Sequence, residues 1–141
     1  CQDSIIEFPA DIWCHGDYNY HNILMGTNEV IPVNFEMMSY NMAITDLANF
    51  MRKILEKNEW GVSVGTTILD AYSREYNISE DETRHLGYLL LYPEKFWKIA
   101  NHYYNGHKAW VSERDIEKLQ KVIEQEEQRV EFLQKMFSFT I

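Results

Sequence analysis

The sequence predicts a mainly α fold with one small β-hairpin near its start. Three observations carry this. The first forty residues hold short apolar runs separated by turn residues. From about residue 43 onward, apolar residues recur at steps of three and four, the period of a helix with one buried face. Capping and breaking residues then divide that pattern into several helices.

The strands come first. Ile12-Trp13-Cys14 is a short apolar run that leads into His15-Gly16-Asp17. Ile23-Leu24-Met25 and Val30-Ile31-Pro32-Val33-Asn34-Phe35 lie on either side of the turn residues Gly26-Thr27-Asn28, which reads as a hairpin. Pro32 fits an edge strand, where its missing N–H costs nothing. Thr45-Asp46 offers an N-cap to a helix carrying Leu47, Phe50, Met51, Ile54 and Leu55, and Asn58 to Gly61 end it. A second helix is predicted from Val62 to Tyr76, with Ile68, Leu69, Tyr72 and Tyr76 turned inward. Ser79-x-x-Glu82 is a capping-box pattern that opens a third helix through Leu86, Leu89 and Leu90. Pro93 suits the start of a fourth, which carries Phe96, Trp97, Ile99, Ala100 and Tyr103 and closes at Asn105-Gly106. The last helix is predicted from about Ser112 to Met136, with a stripe of Ile116, Leu119, Ile123, Val130, Leu133 and Phe137.

Composition narrows the function classes. The chain has 141 residues, of which 45% are hydrophobic and 14% aromatic, enough for a packed core and too apolar for a disordered segment. Thirteen basic against 22 acidic residues leave a net charge of −9, which argues against a nucleic-acid partner, since binding phosphates needs clustered cations. The acidic balance suits solubility first and a cation-binding cleft second. No apolar run is long enough to span a membrane and no signal peptide is visible, so the expectation is a soluble protein without a membrane partner. Two cysteines, Cys1 and Cys14, are too few for a disulfide framework and form no zinc pattern. Cys14 reads as a packed apolar thiol. His21, His85, His102 and His107 lack metal-ligand spacing and read as ordinary histidines.

The chemistry concentrates in His15-Gly16-Asp17-Tyr18-Asn19-Tyr20-His21-Asn22-Ile23-Leu24-Met25. His-x-Asp, four intervening residues, Asn and an apolar strand match the catalytic segment of kinase-like phosphotransferases. Phosphoryl transfer needs a carboxylate beside the attacking hydroxyl, the place of Asp17, and hard oxygen ligands for Mg²⁺. Asn22 can supply one such oxygen. The loop after the hairpin normally supplies another, and Asn34, in Asn34-Phe35-Glu36, holds that place. His15 would hold the catalytic loop by hydrogen bonding and packing. A His-Gly-Asp triplet alone would be weak; the spacing, the hairpin and the following bundle make the set specific.

These segments, with Asp46-Leu47, Phe50-Met51-Arg52-Lys53 and the stretch from Leu91-Tyr92-Pro93 to Asn105, make the chain resemble the C-terminal lobe of the aminoglycoside-phosphotransferase and choline-kinase-like superfamily. The long Tyr92-to-Asn105 segment resembles the spore-coat branch, the CotS type of endospore-forming bacteria. The resemblance implies one domain over 1–141, the helical C-terminal lobe of a protein-kinase-like fold, with the catalytic loop and hairpin in 1–40 and a helical bundle in 43–141. It implies Asp17 as the catalytic base, Asn22 as a cofactor-binding metal ligand, and Asp46 as a buried aspartate that braces the catalytic loop through backbone N–H groups. An N-cap role for Asp46 is the plainer alternative, and the two can coexist. It also implies ATP and Mg²⁺ as cofactors, and residence in the mother-cell cytoplasm and then in the spore coat.

Two departures bear on activity. Active members of the superfamily usually have Asp at the position of Asn34. A lost charge in a metal site is worth on the order of 4 kcal/mol at about 4 Å and an effective dielectric of about 20. Glu36 can compensate as a third metal ligand if the segment stays extended, because alternation then puts it on the side of Asn34; otherwise it is a solvated loop charge. No Gly-rich phosphate loop or lysine-bearing strand precedes residue 15, so the N-terminal nucleotide lobe is expected in a longer protein of which this chain is part. The aromatics Trp97, Tyr103, Tyr104 and Trp110 read as bundle core, with a substrate-pocket lining as the alternative. The end Phe137-Ser138-Phe139 reads as exposed.

Two functions remain open on the sequence. One is an ATP- and Mg²⁺-dependent phosphotransferase, impaired by Asn34, acting on a small hydroxylated molecule. The other is an inactive pseudokinase retained in sporulation as a structural coat component with coat-protein partners. Intact His15, Asp17 and Asn22 favour the first, and Asn34 favours the second.

Overall fold

The computed structural model describes residues 12–105 and 112–139. Four short strands, β1 (Ile12–Cys14), β2 (Ile23–Met25), β3 (Val30–Pro32) and β4 (Ser39–Asn41), precede six helices. The helices are α1 (Ala43–Lys57), α2 (Val62–Ser73), α3 (Glu80–Leu91), α4 (Glu94–Asn105), α5 (Glu113–Glu124) and α6 (Glu126–Phe137). Two 3₁₀ turns, Tyr20–Asn22 and Phe35–Met37, lie between strands. The fold is thus mainly helical, as the periodicity indicates.

The strands form two nested ribbons. β2 pairs antiparallel with β3, Leu24 facing Ile31, across the Gly26-to-Asn28 turn. β1 pairs antiparallel with β4, Trp13 facing Tyr40, and encloses the inner ribbon in sequence. The outer ribbon is not legible in the sequence, because Ser39-Tyr40-Asn41 has no apolar run. Nesting has a direct consequence. The segment between β1 and β2 (15–22) and the segment between β3 and β4 (33–38) are brought face to face.

α1 is the central helix. Ile44, Leu47, Ala48, Met51 and Leu55 are buried along it and meet Leu86 and Leu90 of α3, Phe132 and Leu133 of α6, and Trp60. Each fully buried side chain of this size contributes about 1.5–3 kcal/mol. The N-cap of α1 is Met42, not Thr45-Asp46. Asp46 lies within the first turn, and its side chain is directed to the strand segment. α2 ends at Ser73, which leaves Tyr76 exposed rather than inward, with its hydroxyl donating to Glu82 (3.0 Å).

α3 begins with the expected capping box: the Ser79 hydroxyl accepts from the Glu82 N–H (3.2 Å), and the Glu82 carboxylate accepts from the Ser79 N–H (2.9 Å). Two arginines satisfy its C-terminal carbonyls. Arg52 donates to the Leu89 carbonyl, and Arg129 donates to those of Leu90 (3.4 Å) and Leu91 (2.8 Å). Cations at that end also complement the helix dipole.

Three expectations are corrected. The predicted helix from Ser112 to Met136 is two helices broken at Gln125, whose backbone is at φ −91° and ψ −1°. Neither Gly nor Pro marks the break; the two halves pack on different neighbours, α5 on α4 and α6 on α3 and α2. Phe137 and Phe139 are half-buried against the core and close over Gly87, where a Cβ would lie 2.7 Å from the Phe139 ring. The α4 aromatics are not core: Phe96, Trp97, Tyr103 and Tyr104 are exposed, and Ile99 is the buried residue of that helix. Cys1, Gly106, His107 and Trp110 lie outside the described residues.

Packing and capping give two predictions. A Cβ at Gly65 would lie 2.4 Å from the Phe132 ring. Gly65→Ala is expected to destabilise by about 1–3 kcal/mol in urea unfolding, with loss of native near-ultraviolet signal at lower urea. Burial pushes Glu82 up, but hydrogen bonds from Ser79 and Tyr76 outweigh it and hold the carboxyl below its ordinary value. A depressed folded value means that its stabilisation is present at neutral pH and lost as pH falls through that value. The expected outcome is that the acid limb of a thermal-unfolding pH series flattens in Glu82→Gln, and that Ser79→Ala costs about 1 kcal/mol at neutral pH.

Candidate functional site

The site lies where the two facing segments meet, against the N-terminal half of α1. The Asp46 carboxylate accepts from the His15 N–H at one oxygen (2.6 Å) and from the Gly16 N–H at the other (2.9 Å). One turn later the Asn49 amide donates to the Gly16 carbonyl (3.4 Å). Residues three apart on a helix share a face, so α1 holds Gly16 by its N–H and its C=O together. Gly16 itself has φ +78°, and a Cβ there would sit 2.0 Å from the Met37 carbonyl oxygen. Only glycine lets the two segments approach so closely.

His15 is buried and ties the same segments from within. The Asp17 N–H donates to Nδ1 (3.3 Å), and Nε2–H donates to the Val33 carbonyl (2.9 Å). Its ring packs on Phe35 (centroids 4.7 Å) and edge-on to Tyr18 (5.8 Å). Cys14 is buried at the end of β1, its thiol directed at the Asn41 and Met42 carbonyls.

Asp17, Asn22 and Asn34 are brought together. The Asn22 amide donates to the Asp17 Oδ2 (2.9 Å) and to the Asp17 carbonyl (2.9 Å). The Asn34 amide donates to the Asn22 Oδ1 (3.4 Å). Asn22 is buried and its own carbonyl accepts from the Val33 N–H (2.9 Å), which carries the β2–β3 pairing one step further. Asn34 takes the left-handed conformation, φ 70° and ψ 61°, which asparagine tolerates better than most residues. Asn19, which the sequence reading passes over, donates to the Asp17 Oδ1 (3.0 Å). Its spacing two residues after an aspartate in a turn is the available signal. Both Asp17 oxygens therefore accept one amide N–H each, which fixes the plane of the carboxylate.

Glu36 is placed differently. The segment Phe35–Met37 is a 3₁₀ turn, so the alternation that would align Glu36 with Asn34 does not apply, and Glu36 is exposed. Among the described residues, no three His, Cys, Asp or Glu side chains cluster as a metal site. The oxygens near Asn34 are amide oxygens of Asn22 and Asn34 and the carboxylate of Asp17. Amide oxygens are hard ligands of the type Mg²⁺ accepts, but this set carries little charge.

A cavity of about 240 Å³ opens beside Asp17. Arg52 and Lys53 of α1 and Glu94 and Lys98 of α4 also line it. Nothing in the sequence singles out Glu94 and Lys98, which look like ordinary helix-surface charges.

This arrangement of nested ribbons, loop and helical bundle defines the helical lobe of a kinase-like phosphotransferase. A solved aminoglycoside phosphotransferase from Alicyclobacillus acidocaldarius superposes with a TM-score of 0.81 at 25% identity, over 91% of this chain and 38% of that one. Spore coat protein S of Bacillus subtilis is 25% identical over 126 residues, which is 88% of this chain and 36% of that protein. A family profile described as "Spore coat putative kinase YutH" matches residues 5–136. The chain belongs to that spore-coat family of kinase-like fold, and it spans little more than a third of the relatives it matches.

The brace gives a further prediction. Asp46→Asn leaves one of the two loop N–H groups facing an amide NH₂, and a hydrogen bond to a charged group is worth about 1.5–3 kcal/mol. The expected result is a loss of that size in chemical unfolding, together with faster amide exchange at His15 and Gly16.

Proposed function

We propose that the protein carrying this chain transfers phosphate from ATP, with Mg²⁺, to a small hydroxylated acceptor. The observation that carries the reading is the convergence of Asp17, Asn22 and Asn34 between the two segments, with an open cavity beside Asp17. Asp17 orients the acceptor hydroxyl and receives its proton as the acceptor oxygen bonds to the γ-phosphorus and the bond to the β–γ bridging oxygen breaks, releasing ADP. Asn19 and Asn22 hold the Asp17 carboxylate in one orientation. Asn22 and Asn34 offer the amide oxygens for Mg²⁺, which when bound neutralises phosphate charge. His15 and Asp46 keep the loop in place.

The neutral amide at Asn34 supports weak turnover. Its N–H donates to the Asn22 oxygen that would face the metal. That same observation favours the second reading, an inactive coat component whose pocket only binds. Family membership and the relative named spore coat protein S support residence in the spore coat beside other coat proteins under either reading. Among the described residues no helix is long and apolar enough to cross a membrane.

Thermal unfolding of the full-length protein separates the two. ATP with Mg²⁺ at about ten times its dissociation constant is expected to stabilise by about 1.4 kcal/mol, and the gain should vanish in Asp17→Ala/Asn22→Ala. Asn34→Asp is expected to tighten Mg²⁺-dependent nucleotide binding by about tenfold or more, since it restores a charge to the metal site. No shift at millimolar nucleotide would eliminate the enzymatic reading.

A further inference from the structure

We propose that the cavity beside Asp17 takes a hydroxylated acceptor that also carries an anionic group, a carboxylate or a phosphate, bound by Lys53 and Lys98. This rests on the phosphotransfer reading and specifies its acceptor.

The charges lining the cavity carry the inference. Two groups share its lining: Asp17 with the hydrogen-bonded Asn19, and Arg52, Lys53 and Lys98 with Glu94. Three cations share the lining with two carboxylates, Asp17 and Glu94. Arg52 and Lys98 both pair with Glu94. The Arg52 guanidinium is buried and committed to structure, since it also donates to the Leu89 carbonyl at the end of α3. Its Nε–H is the one buried side-chain polar atom without a hydrogen-bond partner among the described residues. Burial pushes Glu94 up, but the Lys98 hydrogen bond and the charges of Arg52, Lys98 and Lys53 outweigh it and hold the carboxyl below its ordinary value. Glu94 is therefore ionised at neutral pH and already shared. Lys53 makes no ion pair or hydrogen bond among the described residues.

The lining around Glu94 thus carries more positive than negative charge. A neutral acceptor leaves Lys53 unanswered, and a polycationic one meets three like charges. An acceptor that carries both an anion and a hydroxyl satisfies both groups, placing the hydroxyl at Asp17. The volume, about 240 Å³, suits a molecule near the size of a monosaccharide. The transfer step balances as above: the acceptor oxygen gains the phosphorus, ADP leaves, and the hydroxyl proton passes to Asp17, while the anionic group takes no part in bond making.

The test is calorimetric titration of the full-length protein with glucose 6-phosphate, glucuronate, glucose and an aminoglycoside, with ATP·Mg²⁺ titrated on the same preparations. At least one anionic sugar is expected to bind about tenfold or more tightly than glucose, and the aminoglycoside more weakly than either. Preference for glucose 6-phosphate assigns a phosphate, and preference for glucuronate a carboxylate. Lys53→Gln/Lys98→Gln, at exposed positions, is expected to remove the preference while leaving ATP binding within about threefold. Asp17→Asn should retain anionic-sugar binding and lose phosphate transfer. Equal binding of charged and neutral sugars, tighter aminoglycoside binding, no binding of any sugar, or a double variant that weakens ATP instead of the sugar overturns the inference. Normal ATP binding in any of those cases leaves the phosphotransfer reading standing. Absent ATP binding with the anionic preference intact removes that reading and keeps the cavity assignment.

Discussion

The grip of one carboxylate on two consecutive backbone N–H groups organises this molecule. Asp46 accepts from His15 and Gly16 and fixes the start of the 15–22 segment against α1. The loop carries no regular secondary structure before Tyr20, so its backbone groups need partners from elsewhere. α1 provides them, and α1 is itself anchored by burial of Ile44, Leu47, Met51 and Leu55. The core thus positions the chemistry through one helix face. Gly16 completes the arrangement by allowing the backbone of Met37 to lie against the loop.

From that fixed point a chain of amides runs outward. Asn19 and Asn22 orient Asp17, and Asn34 reaches Asn22. Each side chain in this chain is neutral except Asp17, which makes the site geometrically complete and electrostatically thin. Among the other residues lining the cavity, Arg52, Lys53, Glu94 and Lys98, the balance of charge is positive.

Sequence reasoning reached the elements whose signals are local. The capping box at Ser79 and Glu82, the β2–β3 hairpin, and the start of α4 after Pro93 all follow from short-range chemistry. The meeting of Asp17, Asn22 and Asn34 was foreshadowed because strand pairing converts spacing into proximity. What was not legible depends on packing between distant residues. β4 pairs with β1 without an apolar pattern of its own. The break at Gln125 comes from two helices choosing different neighbours. The exposure of Trp97 and Tyr104 follows from α4 burying little beyond Ile99. The cavity lining unites Arg52 and Lys53 with Glu94 and Lys98, more than forty positions on, and no motif announces such a pairing.

The central claim is that Asn22 and Asn34 flank the position of a divalent cation beside Asp17. Anomalous diffraction from crystals of the full-length protein grown with Mn²⁺ and a non-hydrolysable ATP analogue tests it directly. The account predicts a manganese peak within about 2.5 Å of the Asn22 Oδ1, with the Asn34 amide turned to present its oxygen. A well-ordered nucleotide whose manganese lies away from both asparagines would contradict it.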